Sequence, residues 1–169
     1  MLFTQTLITL VLTSVSVSVS AFPVTENDSN SIVARDATYT CTPKKNDSSV
    51  KKFKVSESRA LAQAKIALYE AGKSGDPHRY HNGDNIQFGT KPCNKKDAEL
   101  WEYPIYWDDL KKEWKKDEAS KDQAKTPLRI VYLKDKGSHD GRPKLCGVMT
   151  HSEVDANNQG KDFFVKCDK

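Results

Sequence analysis

The stretch Ser56-Glu57-Ser58-Arg59-Ala60-Leu61-Ala62-Gln63-Ala64-Lys65-Ile66-Ala67-Leu68-Tyr69-Glu70-Ala71-Gly72 decides the fold. Leu61, Ala64, Leu68 and Ala71 recur at helical spacing, Ser56 stands where an N-cap belongs, and Gly72 stands where a helix stops. A helix is therefore expected from about Glu57 to Ala71. Four turns with a single apolar stripe need a surface to cover that stripe. Downstream, Leu100–Tyr106, Leu128–Leu133, Leu145–Thr150 and Phe163–Lys166 are short runs rich in β-branched and aromatic residues, which predicts strands. Upstream, Tyr39 to Val55 reads as two extended pieces around a polar turn, an N-terminal hairpin. A helix followed by sequential strands predicts an α+β domain, an antiparallel sheet packed on one helix. Lys111 to Lys125 reads equally as a solvated helix or a long ordered loop.

Working outward, the 169-residue chain has room for one such domain. Residues 1–21 are apolar, carry no charged side chain and end in Val19-Ser20-Ala21, as a secretory signal would. The segment is too short and too diluted by Ser and Thr to read as a membrane anchor. Residues 22–35 are polar and aperiodic and end at Arg35, the pattern of a pro-segment or of a tail that stays attached. The folded unit is expected over residues 36–169. Without Glu26, Asp28 and Arg35, the charged residues before position 36, there remain 26 bases and 21 acids, a net charge of +5. A mildly basic secreted domain suits polyanions such as RNA or acidic lipid headgroups. Its lysines are clustered at Lys44-Lys45, Lys51-Lys52, Lys111-Lys112 and Lys115-Lys116. Cys41, Cys93, Cys146 and Cys167 form no CxxC pair, which argues against zinc and for two disulfides, with three connectivities open. A link between the outermost pair would tie the chain ends together and remove about 4–5 kcal/mol of denatured-state entropy.

Four polar residues interrupt the apolar runs or flank them. His78 lies in Asp76-Pro77-His78-Arg79-Tyr80, Glu102 in Trp101-Glu102-Tyr103-Pro104-Ile105, Arg129 in Arg129-Ile130-Val131-Tyr132, and His151 ends Cys146-Gly147-Val148-Met149-Thr150-His151. Strand alternation puts Glu102 with Pro104, Arg129 with Val131 and Leu133, and His151 with Met149 and Gly147. If these faces coincide, one sheet face carries a carboxylate, a guanidinium and one or two imidazoles. Buried charge is costly unless paired, so such a set is either an ion-pair network or an active site. The chemistry it suits is phosphodiester cleavage in RNA. Glu or His takes the ribose 2′-hydroxyl proton, His protonates the leaving oxygen, and Arg holds the phosphate. No P-loop, Rossmann fingerprint or zinc motif competes with that reading. Taken singly, the residues have plainer readings: His151 a structural hydrogen-bonder, Glu102 and Arg129 a cross-strand salt bridge.

The motifs Asp76-Pro77-His78, Glu102-Tyr103-Pro104, Arg129-Ile130-Val131-Tyr132 and Thr150-His151 resemble, in order and context, those of the fungal guanyl-specific ribonucleases. Phe88-Gly89-Thr90-Lys91-Pro92-Cys93 and Cys146-Gly147-Val148-Met149 narrow the resemblance to the ribotoxins. Lys73 to Tyr80, Leu100 to Trp107, Cys146 to Ser152 and Asn157-Asn158-Gln159-Gly160-Lys161 resemble the short insecticidal hirsutellin and anisoplin branch, and the likeness spans Tyr39 to Asp168. The resemblance implies a microbial ribonuclease fold, with a twisted antiparallel sheet on one α-helix, an N-terminal hairpin and long loops. Its disulfides would be Cys41–Cys167 and Cys93–Cys146.

It further implies a secreted endoribonuclease, needing no metal or other cofactor, that cuts one phosphodiester in the sarcin–ricin loop of large-subunit ribosomal RNA. Glu102 would be the base, His151 the acid and Arg129 the phosphate clamp. His78 would stabilise the transition state or assist the base, and Phe164 would pack beside the phosphate. The Tyr80–Asp84 loop would frame the guanine, with Tyr80 and Asp84 as base-recognition candidates. Where this chain and its short relatives have Asp76, the longer ribotoxins and the general ribonucleases have Tyr. The carboxylate is expected to raise the pKa of His78 or His151 and to lower general ribonuclease activity. Expected partners are the ribosome and its RNA, with acidic phospholipid membranes at entry, and the protein is expected to act as a monomer. The Lys44–Lys54 turn and Lys111–Lys125 are the candidate ribosome contacts. The competing expectations are a broad guanyl-preferring secreted ribonuclease and a non-catalytic effector on the same fold.

Overall fold

The computed structural model describes residues 36–134 and 141–169. The signal and pro-segment expected over residues 1–21 and 22–35 lie outside the described residues.

Strand β1 (Thr38–Cys41) pairs antiparallel with β3 (Phe53–Ser56), Thr38 facing Ser56 and Cys41 facing Phe53, which forms the N-terminal hairpin. Between them the two-residue β2 (Lys45–Asn46) leaves the hairpin and pairs parallel with Glu153 and Val154 of β7 (Pro143–Val154). The other strands of the sheet are β4 (His78–Arg79), β5 (Leu100–Ile105), β6 (Leu128–Lys134) and β8 (Gly160–Lys166). They run in the order β2-β7-β6-β5-β4, with β8 on the far edge of β7, and every pairing but that of β2 is antiparallel. The architecture is α+β, one helix against a mostly antiparallel sheet.

Helix α1 spans Glu57–Ala67, one turn shorter than the apolar spacing predicts. Leu68 takes φ 54°, ending the helix, and its carbonyl accepts a 2.6 Å bond from the Tyr132 hydroxyl. Gly72, read as the stop, has a different job. A Cβ there would lie 2.3 Å from the Lys116 carbonyl oxygen, so only glycine lets the two loops touch. The buried face is also rotated from the predicted stripe: Ala60, Gln63, Ala64 and Ala67 face inward while Leu68 is exposed. Small side chains let the helix lie close on the sheet, a choice the spacing of large residues does not reveal. Ser56 makes no side-chain cap. Its N–H and hydroxyl bond to Asp108, while the Ser58 N–H donates to the Asp36 carboxylate and the Glu57 N–H to the Ala37 carbonyl. The first helical amides are thus satisfied from outside the helix.

Sheet alternation creates a core on each side. The helix side holds Tyr103, Ile105, Leu128, Ile130, Tyr132 and Val148 against Ala60, Ala64 and Ala67. The other holds Val131, Cys146 and Met149 beneath Tyr80, Ile86, Phe88 and Cys93, from the loop between β4 and β5. Disulfide Cys93–Cys146 ties that loop to the sheet, and Cys41–Cys167 joins the hairpin to the segment after β8. The segment 111–125 is an ordered loop flanked and interrupted by short 3-10 turns at Asp108–Leu110 and Ser120–Asp122. Buried Trp114 anchors it; its carbonyl accepts from the Tyr103 hydroxyl at 3.0 Å, and Ala124 accepts from Tyr106 at 2.8 Å.

Candidate active site

Register decides which polar side chains meet. Glu102 faces Val131, and Val131 faces Gly147; Pro104 faces Arg129, and Arg129 faces Met149. Opposed residues point to one face, so Glu102, Arg129 and, two positions beyond Met149, His151 share the face turned away from the helix. At the edge His78 pairs with Glu102, and at the other side Phe164 pairs with His151. Tyr132 has the opposite parity and points to the helix.

His78 sits between two carboxylates. Its Nε2 is 2.7 Å from Glu102 Oε1 and its Nδ1 is 3.3 Å from Asp76 Oδ1. Asp76 is held there by a loop pinned at its ends: its N–H donates to Ser74 Oγ and its carbonyl accepts from the Gly72 N–H. The hydrogen bond to Asp76, then that to Glu102, pushes the imidazole pKa up to about 9, against a smaller opposing effect of burial. His78 is therefore an imidazolium at neutral pH, donating from both nitrogens. It cannot be a base in that state. Glu102 is buried, and its second oxygen, Oε2, has no partner among the described residues. A buried carboxylate oxygen with nothing to accept from is poised for a ligand proton.

Arg129 occupies the strand between Glu102 and His151. Its Nη1 donates to the carbonyls of Leu128 (2.9 Å) and Thr126 (3.3 Å), which fixes the guanidinium. Burial lowers its pKa, and the charges of Glu102 and Asp76 pull it back up; a guanidinium so placed remains charged. A notch of about 120 Å³ opens beside it, lined also by Asp76, Trp114, Lys125 and Gln159.

His151 follows the last β6–β7 pair, with its N–H bonded to the Pro127 carbonyl at 2.9 Å. Its Nδ1 is 2.8 Å from the Asp162 carbonyl oxygen, and a carbonyl only accepts, so Nδ1 carries the hydrogen and Nε2 is left to exchange a proton. The ring lies 4.1 Å from that of Phe164, tilted by 38°. Burial lowers the His151 pKa, offset in part by the Asp162 carbonyl; nearby Arg129 lowers it further, and Glu102 and Asp84 act the other way. Asp76 reaches His78 and contributes nothing resolved to His151, so of the two histidines expected to feel that carboxylate it acts on His78.

Tyr80 and Asp84 come from the loop after β4 and meet the row at Phe164. Tyr80 is buried in the second core with its hydroxyl 3.1 Å from Asn82 Oδ1, and its ring meets Phe164 edge-on. Asp84 Oδ2 accepts the Phe164 N–H at 3.1 Å, tying the loop to β8. The main-chain contribution of Asp162 has no sequence signature, because any residue carries a carbonyl. His81 is exposed.

The ribonuclease family profile matches residues 38–168. Hirsutellin A from Hirsutella thompsonii is 49% identical, with a TM-score of 0.64 over 78% of this chain and 98% of that one. Restrictocin, a highly specific Aspergillus ribotoxin, is 23% identical, with a TM-score of 0.58 over 79% of this chain and 100% of that one. Alpha-sarcin, a cytotoxic ribonuclease, is 21% identical, with a TM-score of 0.56 over 79% of this chain and 99% of that one. The last two speak to the fold alone. No curated protein matches the chain.

Proposed function

The chain belongs to the ribonuclease family, in its fungal ribotoxin branch, and from that premise we propose that it is a secreted endoribonuclease cutting one phosphodiester in the sarcin–ricin loop of large-subunit ribosomal RNA, which blocks translation. The observation that carries the reading is Glu102, one oxygen held by the His78 imidazolium and the other buried without a partner, on the same sheet face as Arg129 and His151. Glu102 Oε2 takes the 2′-hydroxyl proton, and the 2′-oxygen attacks the adjoining phosphorus. The bond to the 5′-oxygen breaks as His151 Nε2 delivers its proton there, leaving a 2′,3′-cyclic phosphate. Arg129 holds the phosphate as charge shifts across it, and Phe164 walls that side. His78 holds Glu102 Oε1 at 2.7 Å and so orients the carboxylate with Oε2 left for the ligand. These residues supply acid, base and countercharge, so the reaction needs no metal.

The domain that does this runs from about Asp36, whose carboxylate already serves α1, to Lys169. Lys44, Lys45, Lys51, Lys52, Lys54, Lys111, Lys112, Lys115, Lys121 and Lys125 are exposed on the segments 44–54 and 111–125 and supply phosphate contacts to the ribosome and to acidic lipid surfaces.

The test is incubation of the secreted protein with intact eukaryotic ribosomes, read on a denaturing gel. A single fragment from the 3′ end of the large RNA, absent with Glu102→Gln, is the expected result. Smearing at the same dose would make the protein a broad guanyl-preferring ribonuclease, and intact RNA at high dose a non-catalytic effector.

A further inference from the structure

Gly160 opens β8, paired with Val154 across the edge of β7. Its backbone dihedrals lie outside the left-handed region, so no conformational demand explains glycine there. Space does. A Cβ built on Gly160 would stand 2.2 Å from His151 Cδ2, 2.5 Å from Cγ and 2.8 Å from Cβ. Real carbon atoms do not approach so closely, and the displaced group would be a ring held on three sides: by the Asp162 carbonyl at Nδ1, by Phe164 on its face, and by its own strand. Cδ2 is bonded to Nε2, the nitrogen assigned to proton delivery, so a methyl group at position 160 pushes on the edge of the ring that does the chemistry.

We propose that Gly160 is a positioning residue, the missing side chain that lets the His151 imidazole seat against β8 with Nε2 turned to the scissile phosphate. The inference rests on the role given to His151 above. Strand β8 therefore places the ring by a contact it makes and a contact it omits: Asp162 draws in one nitrogen, and Gly160 leaves room for the opposite edge.

The experiment compares wild type, Gly160→Ala, His151→Gln and the double variant, with a guanylyl dinucleotide as substrate and ring-nitrogen NMR as geometry readout. Gly147→Ala is the packing control, since a Cβ at 147 would meet Phe88 Cδ1 at 3.1 Å rather than His151. Gly160→Ala is expected to lower kcat on the order of 100-fold, the scale of misplacing a reacting group by an ångström. KM should change little, and the Nδ1 signal should lose its hydrogen-bonded shift. In the His151→Gln background, adding Gly160→Ala should cost no further kcat. Gly147→Ala should lower the melting temperature and leave the His151 signals alone. A Gly160→Ala protein that keeps wild-type His151 signals would overturn the inference, as would one that loses the same factor of kcat with or without His151. Should His151→Gln alone leave kcat unchanged, the assignment of the acid fails, whereas the NMR result still tests the seating of the ring by Gly160. If Gly160→Ala folds too weakly to assay, recovery of stability in the double variant supports the contact, and no recovery refutes it.

Discussion

Asp76→Asn removes one of two carboxylates from His78 and leaves nearly the same shape. The imidazole pKa stands at about 9 rather than 6.5, with the Asp76 hydrogen bond as the largest cause and Glu102 next. Loss of a carboxylate contact lowers a neighbouring cation's pKa by about 1–3 units, so His78 should titrate much nearer its ordinary value. Each unit is about 1.4 kcal/mol, which bounds the whole shift at about 3 kcal/mol. The ring is half exposed, with 52% of the side chain accessible, and solvent screening leaves ~1 kcal/mol for the Asp76 share. The sign follows from a folded-state pKa raised above the unfolded one. The stabilisation is fully present below pH 6.5 and disappears as pH rises through about 9. Asp76→Asn should therefore cost about that ~1 kcal/mol near pH 6, and the gap to wild type should close toward pH 9 and above. Denaturant melts at pH 6 and 9.5 and an NMR titration of the His78 ring measure both consequences. An unchanged His78 titration, or a stability loss equal at both pH values, would refute the electrostatic account of Asp76. Dinucleotide cleavage should rise at pH above the new His78 value only if Asp76 restrains general ribonuclease activity.

Burial, the largest cause, lowers the His151 pKa from its ordinary value, so the acid form is lost earlier as pH rises and dinucleotide kcat should decline on the acidic side of where a free imidazole would titrate. Phe164→Ala exposes the ring and should move this falling limb upward; a limb that stays put would show that Phe164 does not desolvate His151. Replacing Cys41 and Cys167 by alanine opens a link across a sequence separation of 126 and should cost about 5 kcal/mol in chain-entropy terms, measured by guanidinium melts. Ala64→Leu, at a fully buried helix position against the sheet, should cost about 1–3 kcal/mol by overpacking, and a neutral result would mean the helix can lift without loss. Cleavage of ribosomes should persist in EDTA at a magnesium level that keeps them intact, whereas loss of dinucleotide cleavage in EDTA would contradict the metal-free mechanism.

Local pattern carried the elements. The alternation in Leu128–Leu133 and the helical spacing after Ser56 are properties of neighbouring residues, and they set a helix against successive strands without reference to anything distant. The same alternation put Glu102, Arg129 and His151 at definite parities, and the motif resemblance ordered them. Pattern misplaced what depends on packing. The helix end moved from Ala71 to Ala67 because Leu68 turns to meet Tyr132, and the buried stripe rotated onto alanines that lie close to the sheet. The segment 111–125, undecided from sequence, is held as a loop by Trp114 and by hydroxyls from β5 and its end, Tyr103 and Tyr106.

Strand parity and residue type thus came from the sequence alone, because both are local. Register came only from the tertiary structure, and with it the pairing of His78 with Glu102, of Arg129 with the strands on either side, and of Phe164 with His151. So did the charge state of His78, which depends on two carboxylates, one two residues away and one 24 positions along the chain, meeting at a single ring. Electrostatic coupling falls with distance in space, and distance in space is what folding decides.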